Sequence, residues 1–377
     1  MEHSNFYQTK TELHTHLMGM LSAEEFLKLL VNYSDCIYWP INRTEDENSK
    51  YISSKLILDN SDAISAISIP IGDVRPYDIG LLELYRNRSE LLAFVIKRYS
   101  VLFNISEVDA QHIIYNDYFN RCLVELRNNG IEYVEISFSN EDLIRFFTQD
   151  ENTKDKVKYT FLLCTQRTNK IGPSTQIKIK SAYENGVAIG FDFMGMETPL
   201  DDDELKETGR KSYYRKLSAV LEILVECPNS VLRIHSGEAP GTELNSEKIF
   251  KIIDKIKSDK GYCDFPPPEL RIGHGIHYMK SDYYYEFLKE NNAIIEINAT
   301  SNKALSNIDS IEELPYIDYL EHGIPIALST DGHGAYSTAT ILEDKIAYYY
   351  FLKNKVPVFY NKVVEYDNGL LEKKVVK

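Results

Sequence analysis

The chain has 377 residues and a mass of 43.5 kDa, and its 43% hydrophobic and 26% charged residues are typical of a globular protein with a large core. A formal net charge of −15, without a visible basic stripe, argues against a nucleic-acid polymer as a partner. Scattered cysteines without a Cys-x-x-Cys pair, no apolar leader and no run of about 20 apolar residues predict a reduced, cytoplasmic protein without a membrane span.

The N-terminal part of the chain predicts one strand followed by a long insertion. The strand covers 11–16, and Ser22 then opens a Ser-x-x-Glu capping-box pattern before an apolar run, which predicts a helix start. Residues 34–80 are irregular, polar and interrupted by proline, and helical sequence returns over 81–102. We interpret about 34–105 as an insertion near the barrel mouth with a lid role, because long loops in compact domains are usually functional or disordered.

From residue 107 onwards, strands and helices alternate regularly. The predicted strands cover 131–138, 158–164, 187–193, 231–235, 270–275, 293–298 and 324–330. The predicted helices cover 107–128, 172–185, 211–226, 246–257, 281–290 and 316–322, and another begins near Ala339. Eight strands with intervening helices indicate parallel pairing and predict a (β/α)8 TIM barrel, with 1–377 as a single domain. On periodicity alone, a doubly wound open sheet is the alternative.

Four of the predicted strands end in side chains that can bind a metal. His14 and His16 are two residues apart and therefore face the same side of the first strand. His235, His274 and Asp331 end three later strands. Because TIM barrels place their chemistry at the C-terminal ends of their strands, these side chains are expected to converge. Imidazoles and a carboxylate suit one divalent metal that activates water, with zinc expected and iron, manganese or cobalt as alternatives.

Each of these residues also has a structural interpretation when it is considered alone. His235 could be a hydrogen-bonded core histidine, Glu238 a carboxylate at a helix N-terminus, and Asp331 the cap of the next helix. His274 lies between two glycines and could serve a turn. The combination of all of them favours an active site. Four other histidines are expected at surface or structural positions: His3, His112, His277 and His322.

The series of motifs resembles the adenosine deaminase family over about residues 10–350. The matching stretches, in order, are His14-Thr-His16-Leu-Met-Gly, Gly190-Phe-Asp-Phe-Met-Gly195-Met-Glu197, His235-Ser-Gly-Glu238, Gly273-His274-Gly275, more loosely Ala299-Thr-Ser-Asn302, and Ser329-Thr-Asp331. The resemblance implies a barrel enzyme that hydrolyses the 6-amino group of a purine. It also implies four metal ligands: His14, His16, His235 and Asp331.

The resemblance further assigns the roles around the substrate. Glu238 would protonate the purine nitrogen N1, which requires a carboxyl group that its environment keeps partly protonated. His274, helped by Asp331, would orient the attacking water and stabilise the charge that develops at C6. The backbone of Gly195 would contact the purine ring.

Two positions depart from the family's nucleoside deaminases. Met18 stands where they have an aspartate that contacts the ribose 5′-hydroxyl, and Gly332 stands where they have an aspartate that bonds to purine N7. Because a lost polar partner can cost ~10⁴ in discrimination, the two departures argue against assuming that adenosine itself is the substrate. Without a carboxylate, Met18 would admit a 5′-phosphate, or it would make an apolar contact with a substrate that has no polar group there.

A further substrate contact is expected from the histidine that follows Gly332. His333 could replace the lost N7 contact or serve a phosphate. Other candidates for binding a phosphate, each of which could instead be a solvated surface charge, are Arg43, Arg75, Arg86, Arg88 and Arg167.

The sequence therefore predicts metal-dependent deamination of an adenine nucleoside or nucleoside 5′-monophosphate, such as adenosine, deoxyadenosine, AMP or dAMP, to the inosine form and ammonia. One alternative is a single-metal hydrolase for another amine or amide, and another is a catalytically dead, nucleotide-sensing barrel. The retained ligands and acid argue against the second alternative. The absence of His-x-Glu with Pro-Cys-x-x-Cys excludes zinc cytidine-type deaminases. The Tyr- and Ile-rich segment 348–360 is compatible with a homo-oligomer or with a cover for the barrel.

Overall fold

The protein is described here by a computed structural model that covers residues 10–38, 51–53, 61–69, 73–147, 157–167, 169–208, 212–262, 268–336, 352–354 and 357–375. Eight parallel strands form one sheet in chain order. They are β1 Thr11–His16, β2 Tyr133–Phe138, β3 Lys158–Gln166, β4 Gly190–Met194, β5 Val231–Ser236, β6 Glu269–His274, β7 Ile294–Ile297 and β8 Ile326–Leu328. A bridge between Thr15 and Asp331 brings the chain after β8 onto β1. This arrangement confirms the predicted (β/α)8 barrel.

Helices separate the strands and cover the outside of the barrel. The described α-helices are α1 Leu17–Met20, α2 Ala23–Tyr33, α3 Ser61–Ile67, α4 Tyr77–Phe103, α5 Glu107–Asn128, α6 Glu141–Ile144, α7 Pro173–Glu184, α8 Asp202–Leu205, α9 Tyr213–Leu224, α10 Asn245–Lys260, α11 Asp282–Glu290, α12 Ala299–Ala304, α13 Tyr316–Glu321 and α14 Pro357–Val375. Within the described ranges, no helix combines the length and hydropathy of a membrane span. The start of the helix predicted near Ala339 lies outside the described residues.

The segment after β1 contains more regular structure than the sequence predicted. Its described part holds a short antiparallel pair of strands, Cys36–Tyr38 and Tyr51–Ser53, followed by α3. Helix α4 begins at Tyr77, four residues before the predicted start at 81. Pro76 precedes it, and its missing N–H is no loss there because the first turn of a helix has no internal acceptors for such donors. The insertion therefore places a long helix beside the barrel.

Helix α2 begins directly after Ser22, as predicted, but its cap has a different partner. The Ser22 Oγ accepts a hydrogen bond from the Glu25 backbone N–H at 3.4 Å. The carboxylate of Glu25 pairs with Lys28 at 2.8 Å. Glu125 of α5 instead accepts a hydrogen bond from the Ser22 N–H at 3.0 Å. A distant helix thus completes the cap that the local pattern had assigned to Glu25.

The barrel interior contains paired charges. Arg233 on β5 donates to Glu296 on β7 at 2.7 Å. Arg271 on β6 contacts Glu296 at 3.1 Å and also pairs with Glu135 on β2. All four side chains are fully buried. Because an unpaired buried charge is strongly destabilising, the two arginines and two glutamates depend on one another. Glu296 also contacts His14, so this network extends to the C-terminal end of β1.

Candidate active site

The strand ends bring the histidines of the sequence prediction together. The ring centroid of His14 lies 5.5 Å from that of His16, 4.6 Å from that of His235 and 5.3 Å from that of His274. Asp331 Oδ1 lies 3.3 Å from His16 Nε2 and 3.7 Å from His14 Nε2. All five side chains are buried. The structure therefore places the five residues at one point, at the end of the barrel where this fold holds its chemistry.

Two of these residues have an unusual backbone conformation. His274 has a φ of 69° and Asp331 a φ of 64°, in the left-handed region that non-glycine residues rarely adopt. Asp331 is held there by β1, because its N–H donates to the His14 carbonyl at 2.9 Å and its carbonyl accepts from the His16 N–H at 3.1 Å. Such conformations cost about 1–3 kcal/mol each and are concentrated at functional sites.

The donor atoms fit a divalent metal. The Nε2 atoms of His14, His235 and His274 are buried and have no hydrogen-bond partner among the described residues. Ligand atoms of His14, His16 and Asp331 lie within 4.8 Å of one another. The same holds for ligand atoms of His14, His235 and His274. Burial lowers the pKa of His14 and of His235, so their imidazoles are neutral and can offer lone pairs. Three imidazoles and a carboxylate are a donor set for zinc or a related ion.

Glu296 determines which nitrogen of His14 faces the site. Its carboxylate can only accept a hydrogen bond and lies 3.0 Å from His14 Nδ1, which favours the proton on that nitrogen and leaves Nε2 with its lone pair. The sequence analysis did not identify Glu296, because a glutamate within a buried strand gives no sign of its partner.

Asp192 of β4 lies beside the same centre. Its Oδ1 is 3.3 Å from His235 Nε2, and its Oδ2 accepts from Ser137 and lies 3.4 Å from Arg233 Nη1. Burial alone would raise the pKa of Asp192, but His235 and Arg233 hold it below its ordinary range. Asp192 belongs to the matched motif Gly190–Glu197, although the sequence analysis gave it no role.

Glu238 has the properties of an acid that works near neutral pH. Its Oε1 lies 3.7 Å from His274 Nε2, and its Oε2 accepts a hydrogen bond from the Tyr77 hydroxyl at 2.8 Å. Burial, reinforced by the negative charge of Asp331, raises the pKa of Glu238 to about 7. A substantial fraction of the carboxyl group is therefore protonated at neutral pH.

Glu197 holds the loop that carries this acid. Its carboxylate accepts hydrogen bonds from the Gly237 N–H at 3.1 Å and the Glu238 N–H at 2.6 Å. Its own N–H donates to the Tyr77 hydroxyl at 2.8 Å. Glu197 stood in a matched motif but had no assigned role. Tyr77 lies in the insertion, where the sequence offered no signal for it.

A cavity of about 370 Å³ opens in front of these residues. Its walls include two of the predicted substrate residues, Met18 and Gly195, together with the acid Glu238. Helix α4 contributes Tyr85 and Arg86 to the wall. The insertion therefore forms part of the site.

Gly332 and His333, which follow Asp331, are not among the described residues that line this cavity. Gly332 packs against the backbone of Gly19, and a Cβ at position 332 would lie 3.1 Å from the Tyr85 hydroxyl. His333 is buried, and its Nε2 lies 3.3 Å from Glu125 Oε2. The expectation that His333 contacts the substrate is thus not supported by its position, since its imidazole faces a carboxylate on α5.

Arg88, one of the candidates for binding a phosphate, has a structural role instead. It is fully buried and donates hydrogen bonds to the carbonyl oxygens of Ile67 at 2.7 Å, Leu21 at 2.9 Å, Met18 at 3.2 Å and Gly334 at 2.6 Å. Its donors are therefore committed to backbone groups that join the insertion to the barrel.

The remaining arginine candidates divide by position. Arg167 is buried, donates to the His235 carbonyl at 3.1 Å and lies 3.6 Å from Glu197. Arg75 donates to the Ser65 carbonyl. Arg86 is half exposed at the cavity wall, with Glu90 at 4.0 Å. Arg43 lies outside the described residues. Among the described candidates, Arg86 is the one that reaches the cavity.

The described histidines that were expected at structural positions make local contacts. His112 stacks on Phe146 with centroids 3.6 Å apart, and His322 stacks on Tyr285 at 3.7 Å. His277 Nε2 lies 3.1 Å from the Asn307 carbonyl. His3 lies outside the described residues.

The chain is similar to known deaminases over most of its length. The family model for adenosine deaminase matches residues 81–351, which is well over half of the chain. An adenosine deaminase of Clostridium acetobutylicum is 24% identical over 336 residues, covering 85% of this chain and 81% of that protein. The apo structure of the N6-methyl-AMP deaminase from Arabidopsis thaliana has a TM-score of 0.58 at 17% identity and covers 95% of this chain and 90% of its own. Arabidopsis ADAL complexed with IMP has a TM-score of 0.58 at 18% identity, with coverage of 93% and 87%.

Proposed function

We propose, from the premise that this chain belongs to the adenosine deaminase family, that it deaminates an adenine nucleoside 5′-monophosphate in preference to a nucleoside. Membership makes it a hydrolase that removes an amino group from a purine nucleoside or nucleotide. We further propose that 1–377 form one catalytic domain in which the insertion, about 34–105, completes the substrate site.

The observation that carries the preference for a phosphate is the composition of the cavity wall. Among the described lining residues, the acidic ones are Glu238 and Asp331, both at the reacting end. The wall also contains Met18, Arg86 and Ser89. A guanidinium recognises a phosphate through charge-assisted hydrogen bonds, and no carboxylate of that wall would repel the phosphate. The fold shared with an N6-methyl-AMP deaminase and with ADAL bound to IMP agrees with a nucleotide as substrate.

The residues at the barrel end would act in sequence on the purine. A divalent metal, which we propose to be zinc, would be held by His14, His16, His235 and Asp331 and would make a water molecule nucleophilic. Neutral Glu238 would donate its proton to N1 and so make C6 electrophilic. His274, 3.7 Å from Glu238, would orient the attacking water, and the backbone of Gly195 would contact the ring. The hydroxyl proton of the C6 adduct would then pass to the amino group, which would leave as ammonia and give the inosine form, while the proton first lost by the water would return to Glu238.

The proposal is tested by release of ammonia from AMP, dAMP, adenosine and deoxyadenosine, and of methylamine from N6-methyl-AMP. Wild-type protein should turn over the monophosphates with the higher kcat/KM, and Glu238→Ala should abolish turnover of every substrate. A preference for the free nucleosides would refute the phosphate assignment and retain the family's reaction. No turnover of any of them by the metal-loaded protein would favour the alternative of another amine or amide substrate.

Arg86→Gln tests the phosphate contact separately. Because a hydrogen bond to a charged group contributes about 1.5–3 kcal/mol, KM for AMP should rise by ~10-fold or more. KM for adenosine should stay unchanged. The matched control is Lys97→Gln, which removes one positive charge from an exposed position on the same helix. Equal increases of KM for AMP in the two variants would mean that Arg86 acts only through its long-range charge and does not contact the phosphate.

A further inference from the structure

Tyr85 extends from the insertion to the histidine cluster at the barrel end. Its ring meets that of His16 edge to face, with centroids 6.3 Å apart, and it lines the cavity. Its hydroxyl lies where two glycines leave room: a Cβ would come within 2.7 Å of it at Gly19 and within 3.1 Å at Gly332. Any side chain at either position would displace the tyrosine hydroxyl. The absence of side chains at Gly19 and Gly332 therefore leaves the space next to Asp331 for the Tyr85 hydroxyl.

The Tyr85 hydroxyl has no hydrogen-bond partner of normal geometry among the described residues, although it is buried. The hydroxyl of Tyr336 lies close to that of Tyr85. The Tyr336 hydroxyl likewise has no hydrogen-bond partner of normal geometry among the described residues. Buried hydroxyls nearly always have a partner, so a buried donor at the wall of a substrate cavity indicates a partner on the substrate.

The direction of this donor identifies the side of the substrate that it meets. Glu238 approaches His274, whereas Tyr85 approaches His16. In adenine, C6 lies between N1 and the ring-fusion carbon that adjoins N7. When the acid faces N1, a group on the opposite side of the reacting carbon faces N7. N7 carries a lone pair and no hydrogen, so its partner must be a donor, as a tyrosine hydroxyl is.

We infer that the Tyr85 hydroxyl donates a hydrogen bond to N7 of the bound adenine and is a specificity-determining residue of this enzyme. The inference rests on the proposed purine deaminase function and adds a residue from outside the barrel strands. Its consequence is selectivity for purines with an acceptor at this position. A substrate that lacks N7 would leave the buried hydroxyl without a partner, which is the situation in which enzymes reject analogues most strongly.

The test combines one variant with one substrate analogue. The values of kcat/KM are measured for wild type and Tyr85→Phe with AMP and with 7-deaza-AMP. The variant should lose ~10-fold on AMP, because one hydrogen bond is lost, and should be unchanged on 7-deaza-AMP, where no acceptor exists. Equal losses on the two substrates, or no loss on AMP, would overturn the inference and leave Tyr85 with a packing role.

A second tyrosine of the same helix supplies the control. Tyr77→Phe acts through Glu238, so it should lower turnover of AMP and 7-deaza-AMP by the same factor. Thermal unfolding of Tyr85→Phe should match that of wild type, since the change removes a single oxygen atom without a partner of normal geometry.

The experiment also separates this inference from the proposed function. Should wild type prefer nucleosides, the same comparison is made with adenosine and 7-deazaadenosine, and only the phosphate assignment fails. Should no adenine compound be turned over, the proposed deamination fails, and calorimetric binding of IMP and 7-deaza-IMP to wild type and Tyr85→Phe decides the N7 contact. Tyr85→Phe should then weaken binding of IMP alone, and equal binding of both ligands by both proteins would overturn the contact.

Discussion

Tyr77 fixes the orientation of the proposed acid, and Tyr77→Phe measures how much that orientation matters. The hydroxyl donates to Glu238 Oε2 and accepts from the Glu197 N–H, both at 2.8 Å. The substitution removes both hydrogen bonds and leaves the ring in place. A hydrogen bond to a charged group contributes about 1.5–3 kcal/mol, so kcat should fall by ~10- to 100-fold. KM should change little, because Tyr77 contacts the acid.

The same substitution should also move the pH profile. Burial raises the pKa of Glu238 to about 7, while the hydrogen bond from Tyr77 stabilises the carboxylate and opposes that rise. Without the hydroxyl, the pKa of Glu238 rises further and the acid keeps its proton to higher pH. The alkaline limb of kcat should therefore move to higher pH even though the maximal rate is lower.

The assay is the initial rate of ammonia release across neutral and alkaline pH at saturating substrate. Tyr214→Phe is the control, because Tyr214 donates to Asp259 at 2.7 Å in an exposed pair on the outer helices. That variant should keep the wild-type profile. An unchanged kcat together with an unmoved alkaline limb in Tyr77→Phe would refute the reasoning, since the acid would then be held by its other contacts.

Three further outcomes follow from the structure. In wild type, kcat/KM should fall tenfold per pH unit above about pH 7, because the proposed reaction needs protonated Glu238 and burial sets its pKa there; a flat profile over that range would contradict this. Dialysis against a chelator should remove a divalent metal that elemental analysis can measure, and it should lower the temperature of unfolding. Activity should be lost until Zn²⁺ is restored. His14→Ala should retain less metal than wild type. Arg88→Met should lower the free energy of unfolding by ~3 kcal/mol or more in urea titrations, because it leaves buried carbonyls without a donor, whereas Lys97→Met on the exposed side of the same helix should change it little.

The barrel and the convergence of the histidines proposed to bind the metal could be predicted because they follow from short-range rules. Alternation with period two puts His14 and His16 on one face of a strand, and parallel strands direct their C-terminal ends to one side. The glycines around His274 indicated a special backbone there, and the left-handed φ of that residue agrees. Local sequence was sufficient wherever a residue's position depends on its own strand.

The rest of the site depends on packing between distant segments. Tyr77 and Tyr85 reach the site because α4 lies against the barrel, and nothing in the composition of 34–105 indicates that contact. The position of His333 likewise depends on packing with a distant segment. Its place next to Gly332 suggested a substrate contact, but the chain turns its imidazole towards Glu125. Adjacency in sequence to a site residue did not determine the direction of the side chain.

The division between barrel and insertion has a consequence for specificity. The strand ends supply the groups proposed for the reaction, whereas α4 contacts the proposed acid through Tyr77 and contributes Tyr85 and Arg86 to the cavity wall. Tyr77 and Tyr85 are about two helical turns apart, so they share a face of α4 and are separated by about 12 Å along its axis. Because one helix carries both Tyr77, which donates to Glu238, and the wall residues Tyr85 and Arg86, we expect variants on the wall to change kcat as well as KM.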